Sequence, residues 1–220
     1  MHGIFISGTG TNIGKTVVAA ALMHRFRNIT PLRYWKPIQT GIEESDDTAT
    51  VRTLGNCADQ EIFDAGIRLR GSLSPHLAAR LAGTEIDLEH LTQMASTSRD
   101  EVSWFVEGAG GVLVPINNRQ MMLDLMEKLG LPVLVVALST LGTINHTLMT
   151  LEILHHHSQR IAGVIMVGNP DKENRHAIEH FGKVHVLGEL PNFPSLDPEN
   201  LATWAQTGLD PGGRLLEYLQ

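Results

Sequence analysis

Residues 3–26, GIFISGTGTNIGKTVVAAALMHRF, decide the fold class of this chain. The stretch opens with an apolar run, Gly3–Ser7, that predicts a buried strand, and it closes with Lys15–Phe26, whose pattern predicts a helix. A glycine-rich loop that ends in Gly-Lys-Thr joins the two. This order is typical of phosphate-binding proteins, because backbone N–H groups and a helix N-terminus attract anions and glycine permits their close approach.

The loop departs by one residue from the usual phosphate-loop pattern, GxxxxGK[ST], whose first glycine would fall at Thr9. Counted from Gly8, the loop is one residue longer than that pattern allows. We predict that Lys15 contacts the outer phosphates of a nucleotide and that the Thr16 hydroxyl binds Mg²⁺. A glycine-rich turn followed by a lysine by chance is the alternative, and the flanking strand and helix argue against it.

The rest of the chain alternates apolar runs with helical patterns. Strands are predicted at Leu32–Lys36, Val102–Val106, Val133–Leu138, Ala162–Val167 and Val184–Leu187. Helices are predicted between them at Asp47–Leu54, His76–Leu81, Leu88–Ser96, Met121–Leu129, Ile144–His156 and Asn174–Phe181. This alternation predicts an α/β fold of one domain over residues 1–220, a doubly wound and mostly parallel sheet with helices on both faces. We expect residues 39–46 to form a loop and the tail from Asn192 to be irregular.

Composition excludes several classes of protein. The net charge of the 220 residues is -7, which argues against a protein that neutralises nucleic-acid phosphates. The longest apolar stretch, around Pro132–Leu138, is far shorter than the roughly 20 residues of a membrane-spanning helix. Cys57 is the single cysteine, so no internal disulfide is possible. No secretory signal is recognisable, and we expect a cytoplasmic protein.

Acidic residues follow the phosphate loop at two places where a magnesium ligand is expected. Glu107 ends the run Val102–Val106 and precedes Gly-Ala-Gly-Gly, so it is placed at the carboxyl end of a strand. A solvated loop acid is the alternative for Glu107. Asp46 and Asp47 precede a helix, where capping of that helix is the usual role of such residues.

The chain resembles the dethiobiotin synthetase family in five blocks that occur in the family's order and span residues 3 to about 200. The phosphate loop is shared with many ATPases and takes the longer form that this family shows, whereas the combination of the later blocks is specific. The blocks are Gly8–Thr16, Lys36–Gly41 (KPIQTG), Ser74–His76 (SPH), Glu107–Gly111 (EGAGG) and Leu141–His146 (LGTINH).

The resemblance implies an ATP- and Mg²⁺-dependent ligase that makes dethiobiotin from 7,8-diaminononanoate and CO₂, with release of ADP and phosphate. A substrate amine captures CO₂ as a carbamate, the γ-phosphoryl group is transferred to it, and the second amine closes a cyclic urea. Every intermediate is anionic, so positioning and positive charge are expected to dominate catalysis.

The resemblance also implies roles for individual residues. Lys36 stabilises the carbamate and the migrating phosphoryl group together with Lys15, and Thr11 lies near the carbamate. Thr40 contacts the substrate. The Mg²⁺ ligands are Thr16, Asp47 and Glu107, with Asp47 preferred to Asp46 because the residues after it match the family's helix.

Nucleotide contacts are implied at both ends of the ATP molecule. The phosphate end is assigned to Asn12, Ile13, Gly14, Lys15, Thr16, Val17, Asp47, Glu107, Gly108, Ala109 and Gly110. The base end is assigned to Asn169, Pro191, Asn192, Phe193 and Glu199. Two positions depart from the family's pattern: Asn169 falls two residues later than a gapless comparison would place the adenine-reading Asn, and Asn12 stands where many members carry Glu.

The LGTINH block opens a predicted helix, whose N-terminus can bind an anion. The resemblance implies that this block binds the carboxylate tail of a substrate held by the neighbouring subunit, and hence that the protein is a homodimer. The substrate contacts are then Leu141, Gly142, Thr143, Ile144 and Asn145. A helix start capped by Thr143 is a compatible interpretation.

Two other classes share this fold. A nucleotide-switch ATPase of the partition or septum-positioning type carries a second Lys early in the loop, and this chain has no Lys between Gly8 and Thr11. An amidating synthetase of cobalamin biosynthesis has an additional glutamine-hydrolysing domain with a nucleophilic Cys. The length of this chain and the surroundings of Cys57 do not fit that class.

Overall fold

The computed structural model describes residues 1–96 and 101–220, and a parallel β-sheet lies at its centre. The strands are β1 (His2–Gly8), β2 (Leu32–Trp35), β3 (Ile38–Thr40), β4 (Ile62–Phe63), β5 (Ile67–Leu69), β6 (Ser103–Glu107), β7 (Val133–Leu138), β8 (Ile161–Val167) and β9 (Val186–Leu190). The main sheet has the order β4-β2-β6-β1-β7-β8-β9, and β3 pairs with β5 in a small second sheet. Every pairing between these strands is parallel.

Helices cover both faces of the main sheet, as the sequence predicts. The α-helices are α1 (Lys15–Phe26), α2 (Asp47–Leu54), α3 (Pro75–Leu81), α4 (Leu88–Ser96), α5 (Met122–Leu129), α6 (Thr143–His156), α7 (Lys172–Gly182) and α8 (Pro198–Gly208). On one face α1 packs against α2 and α8. On the other face α4 packs against α5 and α6 against α7.

Strand β1 shows why two hydrophobic cores form. Side chains alternate across a strand, so consecutive apolar residues contribute to opposite faces of the sheet. Ile4 and Ile6 lie in the core beneath α1, whereas Phe5 lies in the core on the other face, and all three are fully buried. A continuous apolar run is therefore required of a central parallel strand.

Several predicted boundaries are wrong by one to three residues. The last strand is Val186–Leu190 rather than 184–187, because Lys183 takes a left-handed conformation at φ 51° as the chain leaves α7. Residues 184–185 are then used to return to the sheet. The predicted loop 39–46 is also partly wrong, since Gln39 and Thr40 belong to β3.

The predicted irregular tail contains a regular helix, α8. Asp197 caps this helix by accepting a hydrogen bond from the Asn200 backbone N–H, and Pro198 occupies the first helical turn. An Asp cap followed by Pro is a local signal for a helix start, and here it outweighs the surrounding prolines and glycines. In the part of the chain that the structure describes, no helix is both long enough and apolar enough to span a bilayer.

Candidate active site

The phosphate loop connects β1 to α1 at the carboxyl edge of the main sheet. Its turn requires two left-handed residues, Asn12 at φ 56° and Gly14 at φ 94°. A Cβ on Gly14 would lie 3.1 Å from Val167 Cγ1, at the end of β8, so glycine also allows the loop to sit against the sheet. The Lys15 ammonium donates a hydrogen bond to the Gly10 carbonyl at 2.7 Å and thereby closes the loop on itself.

Lys15 is an unusually easy lysine to deprotonate. Its side chain is buried, and its nitrogen lies in the same cavity as that of Lys36. Burial and, after it, the charge of Lys36 lower the pKa of Lys15 to about 8, although Glu107 and Asp47 partly compensate. Two ammonium groups that face one cavity create a site that favours a polyanion.

Glu107, at the end of β6, is fully buried and joins three elements of the fold. Its Oε1 accepts hydrogen bonds from Thr16 Oγ1 of α1 at 2.9 Å and from Lys36 Nζ at 2.8 Å. Its Oε2 accepts one from the Tyr34 hydroxyl of β2 at 2.8 Å. Such a buried carboxylate is stable only when its oxygens are paired, and here both are.

Lys36 follows β2 and lies between two carboxylates. Its Nζ is 2.6 Å from Asp47 Oδ2 and 2.8 Å from Glu107 Oε1, and it also donates to the Gly108 carbonyl at 3.1 Å. Burial alone would lower the pKa of Lys36, but Glu107 and Asp47 outweigh burial and hold the pKa above its ordinary value. Lys36 is therefore a permanently charged group at the edge of the cavity, unlike Lys15.

Asp46 and Asp47 have different structural positions. Asp46 is the cap of α2 and accepts hydrogen bonds from the Thr48 and Ala49 backbone N–H groups. Asp47 faces the cavity and pairs with Lys36. Burial would raise the pKa of Asp47, but Lys36 and the Thr16 hydroxyl lower it below its ordinary value, so the side chain is a carboxylate at neutral pH.

Three residues that the sequence analysis did not identify organise this site. Tyr34 donates to Glu107, as described above. Gln39 accepts from the Asp47 backbone N–H at 3.4 Å and donates to the Ser45 carbonyl at 3.3 Å, which holds the loop before α2. Arg68, from the small sheet, donates to the Lys36 carbonyl at 2.9 Å and contacts Thr48 Oγ1 at 3.4 Å.

A cavity of about 450 Å³ brings most of the predicted phosphate-end and catalytic residues together. Its walls also include Ser74 and Pro75 of the SPH block. Two of the predicted phosphate-end residues do not line the cavity. The Gly108 carbonyl accepts a hydrogen bond from Lys36 Nζ, and Val17 packs against the hydrophobic core beneath α1. The predicted residues that line the cavity are Thr11, Asn12, Ile13, Gly14, Lys15, Thr16, Lys36, Thr40, Asp47, Glu107, Ala109 and Gly110.

The residues assigned to the base end lie outside this cavity, at the neighbouring strand ends. Asn169 follows β8, whose last residue, Val167, lies beside Gly14 of the phosphate loop, 3.1 Å from where a Cβ on Gly14 would be. Asn192 follows β9 and donates through Nδ2 to Asn169 Oδ1 at 3.5 Å. Pro191 and Phe193 flank Asn192, and Glu199 is exposed in the first turn of α8.

The LGTINH block forms the start of α6, away from the first cavity. Gly142, at φ 96°, is the residue before the helix, and it makes no side-chain cap. The interpretation of Thr143 as the cap is wrong: Thr143 is the first helical residue, is buried, and lies 3.4 Å from Thr147 through the two hydroxyls. Leu141, Gly142 and Asn145 are exposed.

An apolar groove of about 940 Å³ runs from the phosphate loop along α6. It is lined by loop residues 8–11, by residues 111–114, by α6 residues between His146 and His155, and by residues 181–183. Leu113, Met149 and Phe181 are large apolar side chains that are exposed at this groove. Exposed apolar surface of this kind is typical of a contact with a ligand or another chain.

The donor atoms at the phosphate loop fit Mg²⁺. This ion prefers oxygen ligands, usually one or two carboxylates with phosphate oxygens and water. Thr16 Oγ1 lies within hydrogen-bond distance of Glu107 and interacts with Asp47, so a hydroxyl and two carboxylates meet beside the phosphate loop. The three residues come from α1, α2 and β6, and each is held by contacts with the others or with Lys36.

The fold and this site define a P-loop nucleotide-binding protein of the α/β class. A family model described as an AAA domain matches residues 2–200. Solved structures support the fold alone. A ParA family ATPase from Chlorobium tepidum has a TM-score of 0.59 at 9% identity, covering 93% of this chain and 97% of that one. The MinC:MinD complex from Aquifex aeolicus gives 0.54 at 12% identity, covering 94% and 87%.

Relatives with much higher identity define the family within that class. An ATP-dependent dethiobiotin synthetase BioD from Paramagnetospirillum magneticum is 48% identical over 202 residues, which are 92% of this chain and 94% of that protein. The BioD of Agrobacterium fabrum is 42% identical over 196 residues, 89% of each. A bifunctional protein BioCD from Bordetella avium is 43% identical over 206 residues, 93% of this chain and 43% of its own length. The chain belongs to the ATP-dependent dethiobiotin synthetase family.

Proposed function

We propose that this protein closes the cyclic urea of dethiobiotin from 7,8-diaminononanoate and CO₂, with ATP converted to ADP and phosphate. The observation that carries the proposal is the position of Lys36. Its ammonium lies in one cavity with the phosphate-loop residue Lys15 and within 2.6–2.8 Å of two carboxylates. The identity of 48% to a dethiobiotin synthetase over almost the whole of both chains supports the same assignment.

The chemistry needs three steps. An amine of the substrate adds to CO₂ and loses a proton, which gives a carbamate. A carbamate oxygen attacks the γ-phosphorus of ATP, so that ADP leaves and a carbamic–phosphoric anhydride forms. The second amine attacks the carbonyl carbon of that anhydride, a C–N bond closes the ring, and phosphate leaves.

The cavity residues suit these steps because the reacting species are anions. Lys15 and Lys36 place two positive charges where negative charge moves between the phosphoryl group and the carbamate. Thr11 and Thr40 line the same cavity and are proposed to contact the carbamate and the substrate amine. The predicted Mg²⁺ ligands Thr16, Asp47 and Glu107 would hold the ion, which when bound neutralises charge on the phosphate oxygens.

We also infer that the active unit is a homodimer in which α6 of one subunit completes the site of the other. At the start of α6, Leu141, Gly142 and Asn145 are exposed, and no side chain caps the helix. The Thr143 N–H donates to the Thr140 carbonyl at 3.0 Å, so we infer that a carboxylate would be bound by the other N–H groups of this helix N-terminus. The apolar groove along α6, with its exposed Leu113, Met149 and Phe181, is a surface that a second copy of the chain would cover. A two-fold dimer would create two such shared sites.

The experiment that tests the reaction measures ADP release with 7,8-diaminononanoate and bicarbonate, and repeats it with each omitted. The proposal requires that both be needed and that the product has the mass of dethiobiotin. A turnover that ignores the diamine would instead favour a nucleotide-switch ATPase. That alternative rests on the fold alone, and the loop of this chain lacks the early Lys that such proteins carry.

Subunit complementation tests the shared site. A Lys36→Met variant loses the charge in the cavity, and an Asn145→Asp variant places a negative charge at the α6 start. In a mixed dimer one site combines the intact Lys36 of one chain with the intact Asn145 of the other. Equal mixing of the two inactive proteins should restore about a quarter of wild-type activity if sites are shared across a two-fold axis. No recovery after verified subunit exchange would contradict the shared site.

A further inference from the structure

The two carboxylate oxygens of Glu107 accept hydrogen bonds from different parts of the protein, and Tyr34 is the donor to one of them. Oε1 faces the cavity side and accepts from Thr16 Oγ1 and Lys36 Nζ. Oε2 accepts from the Tyr34 hydroxyl at 2.8 Å, and both side chains are fully buried. The carboxylate thus has one oxygen among the site residues and one bound from within the protein core.

The register of two strands places the phenol there. β2 and β6 are parallel, with Tyr34 opposite Phe105 and Trp35 opposite Val106. Residues two apart share a face of a sheet, so Tyr34 and Lys36 lie on the same face as Phe105 and Glu107. The phenol therefore approaches Glu107 from within the core beneath α1, and the ammonium approaches it from the cavity.

We propose that Tyr34 is a positioning residue of the magnesium–nucleotide site, whose hydroxyl fixes the rotation of Glu107 so that Oε1 remains directed at Thr16 and the cavity. This inference rests on the proposed role of Glu107 as a magnesium ligand. Partners of that kind orient a metal-binding carboxylate and tune its affinity without touching the metal or the substrate. Without the phenol, Oε2 is left without its donor, and Lys36 can attract both oxygens away from Thr16.

The Tyr34→Phe variant tests the proposal because it removes one oxygen and keeps the ring that fills the core. A non-hydrolysable ATP analogue is titrated with EDTA present and then at increasing MgCl₂. We expect the metal-free affinity to stay within about twofold and the MgCl₂ concentration for half-maximal enhancement of binding to rise about tenfold. The readout needs no diamine, so it stands even if the proposed reaction fails, and the ADP-release assay on the wild-type protein tests that reaction separately.

The other tyrosine of the chain supplies a matched control. Tyr218 lies in a short helical segment near the C-terminus, Arg214–Tyr218, and does not line the cavity. Tyr218→Phe should leave both titrations unchanged. An unchanged MgCl₂ dependence in Tyr34→Phe would overturn the proposal, as would an equal loss of nucleotide affinity with and without Mg²⁺, which is what a merely structural role predicts.

A second measurement tests the proposal without the Tyr34→Phe variant, in case that variant does not fold. The protein is labelled with 3-fluorotyrosine, which gives two ¹⁹F resonances, assigned by comparison with labelled Tyr218→Phe. Adding MgCl₂ to the protein already saturated with ADP should shift the Tyr34 resonance and leave that of Tyr218 in place. A Tyr34 resonance that does not respond to Mg²⁺ contradicts the proposal.

Discussion

Asp46 and Asp47 are consecutive in the chain, yet the Asp46 carboxylate caps a helix and the Asp47 carboxylate forms an ion pair with Lys36. Asp46 accepts hydrogen bonds from the first free N–H groups of α2, and Asp47 pairs with Lys36 at 2.6 Å. The backbone explains the division, because Asp46 has the extended conformation of a cap at φ -119° whereas Asp47 is already helical. Asp46 therefore serves the helix, and Asp47 lines the cavity.

The pair gives the first prediction. Asp46→Ala should lower the free energy of unfolding by about 1 kcal/mol, because it removes a helix cap, and leave turnover close to wild type. Asp47→Asn keeps the cap but loses the charge beside Lys36 and the proposed magnesium site, and its turnover should fall by about tenfold or more. Thermal melts and ADP release on both variants check this. A greater loss of turnover in Asp46→Ala would reverse the assignment.

The second prediction separates the two lysines. Lys36→Met should bind ATP within about threefold of wild type while product formation is lost, because its contacts are with Glu107, Asp47 and Gly108 rather than with the phosphate loop. The variant should also be less stable by up to about 3–5 kcal/mol, since it leaves a buried carboxylate without its cation.

Lys15→Ala is the control for that division. It removes the ammonium that lies against the phosphate loop, so nucleotide affinity itself should fall. Equilibrium binding of ATP and detection of dethiobiotin by mass compare the two variants directly. If both variants lose the same affinity for ATP, the two lysines do not have separate roles.

The third prediction concerns pH. Lys15 is charged below its pKa of about 8 and neutral above it, and bound phosphates favour the charged form. Nucleotide binding above pH 8 must therefore take up a proton, and affinity should fall by up to about tenfold per pH unit in that range. Calorimetric titrations at pH 7, 8 and 9, in buffers of different ionisation enthalpy, measure the affinity and the proton together.

A lysine-to-arginine change is the control for this pH effect, because a guanidinium stays charged over the whole range. Lys15→Arg is expected to bind more weakly overall, since its head group has a different shape, but to lose the fall in affinity above pH 8. An affinity of the wild-type protein that is flat from pH 7 to 9 would show that Lys15 does not titrate in this way.

The sequence predicts the first strand, the phosphate loop and α1 correctly, because an apolar run, glycines and a helical period are local signals. It also places Glu107 correctly at the end of a strand. It misses Tyr34 because a tyrosine within an apolar run is typical of core. Only the register between β2 and β6 sets Tyr34 beside Glu107, and one sequence contains no information on that register.

Arg68 is missed for a related reason. It lies on a two-stranded sheet of very short strands, and its contact with the Lys36 carbonyl is a tertiary contact over 32 residues of chain. The error in α8 is of another kind, since Asp197 and Pro198 were a readable local signal. The sequence thus predicts where helices and strands lie along the chain better than it predicts which side chains contact one another.

The final prediction concerns the base of the nucleotide. Asn169 and Asn192 follow neighbouring strands, β8 and β9, and their amides lie 3.5 Å apart through Asn192 Nδ2 and Asn169 Oδ1. This contact orients the Asn169 amide, although its side chain is exposed at the strand edge. Asn169 remains a predicted adenine contact, and the arrangement makes it testable against its partner.

Asn169→Ala should reduce the preference for ATP over GTP about fivefold, because one hydrogen bond to the base is worth about 1 kcal/mol. Asn192→Ala removes the donor to Asn169 Oδ1 and a second residue assigned to the base end, and we expect its effect on the preference to be smaller. The ratio of the two nucleotides' dissociation constants, measured for the wild-type protein and both variants, decides the point. If Asn192→Ala alone abolishes the preference, the base is read by Asn192, and the assignment moves from β8 to β9.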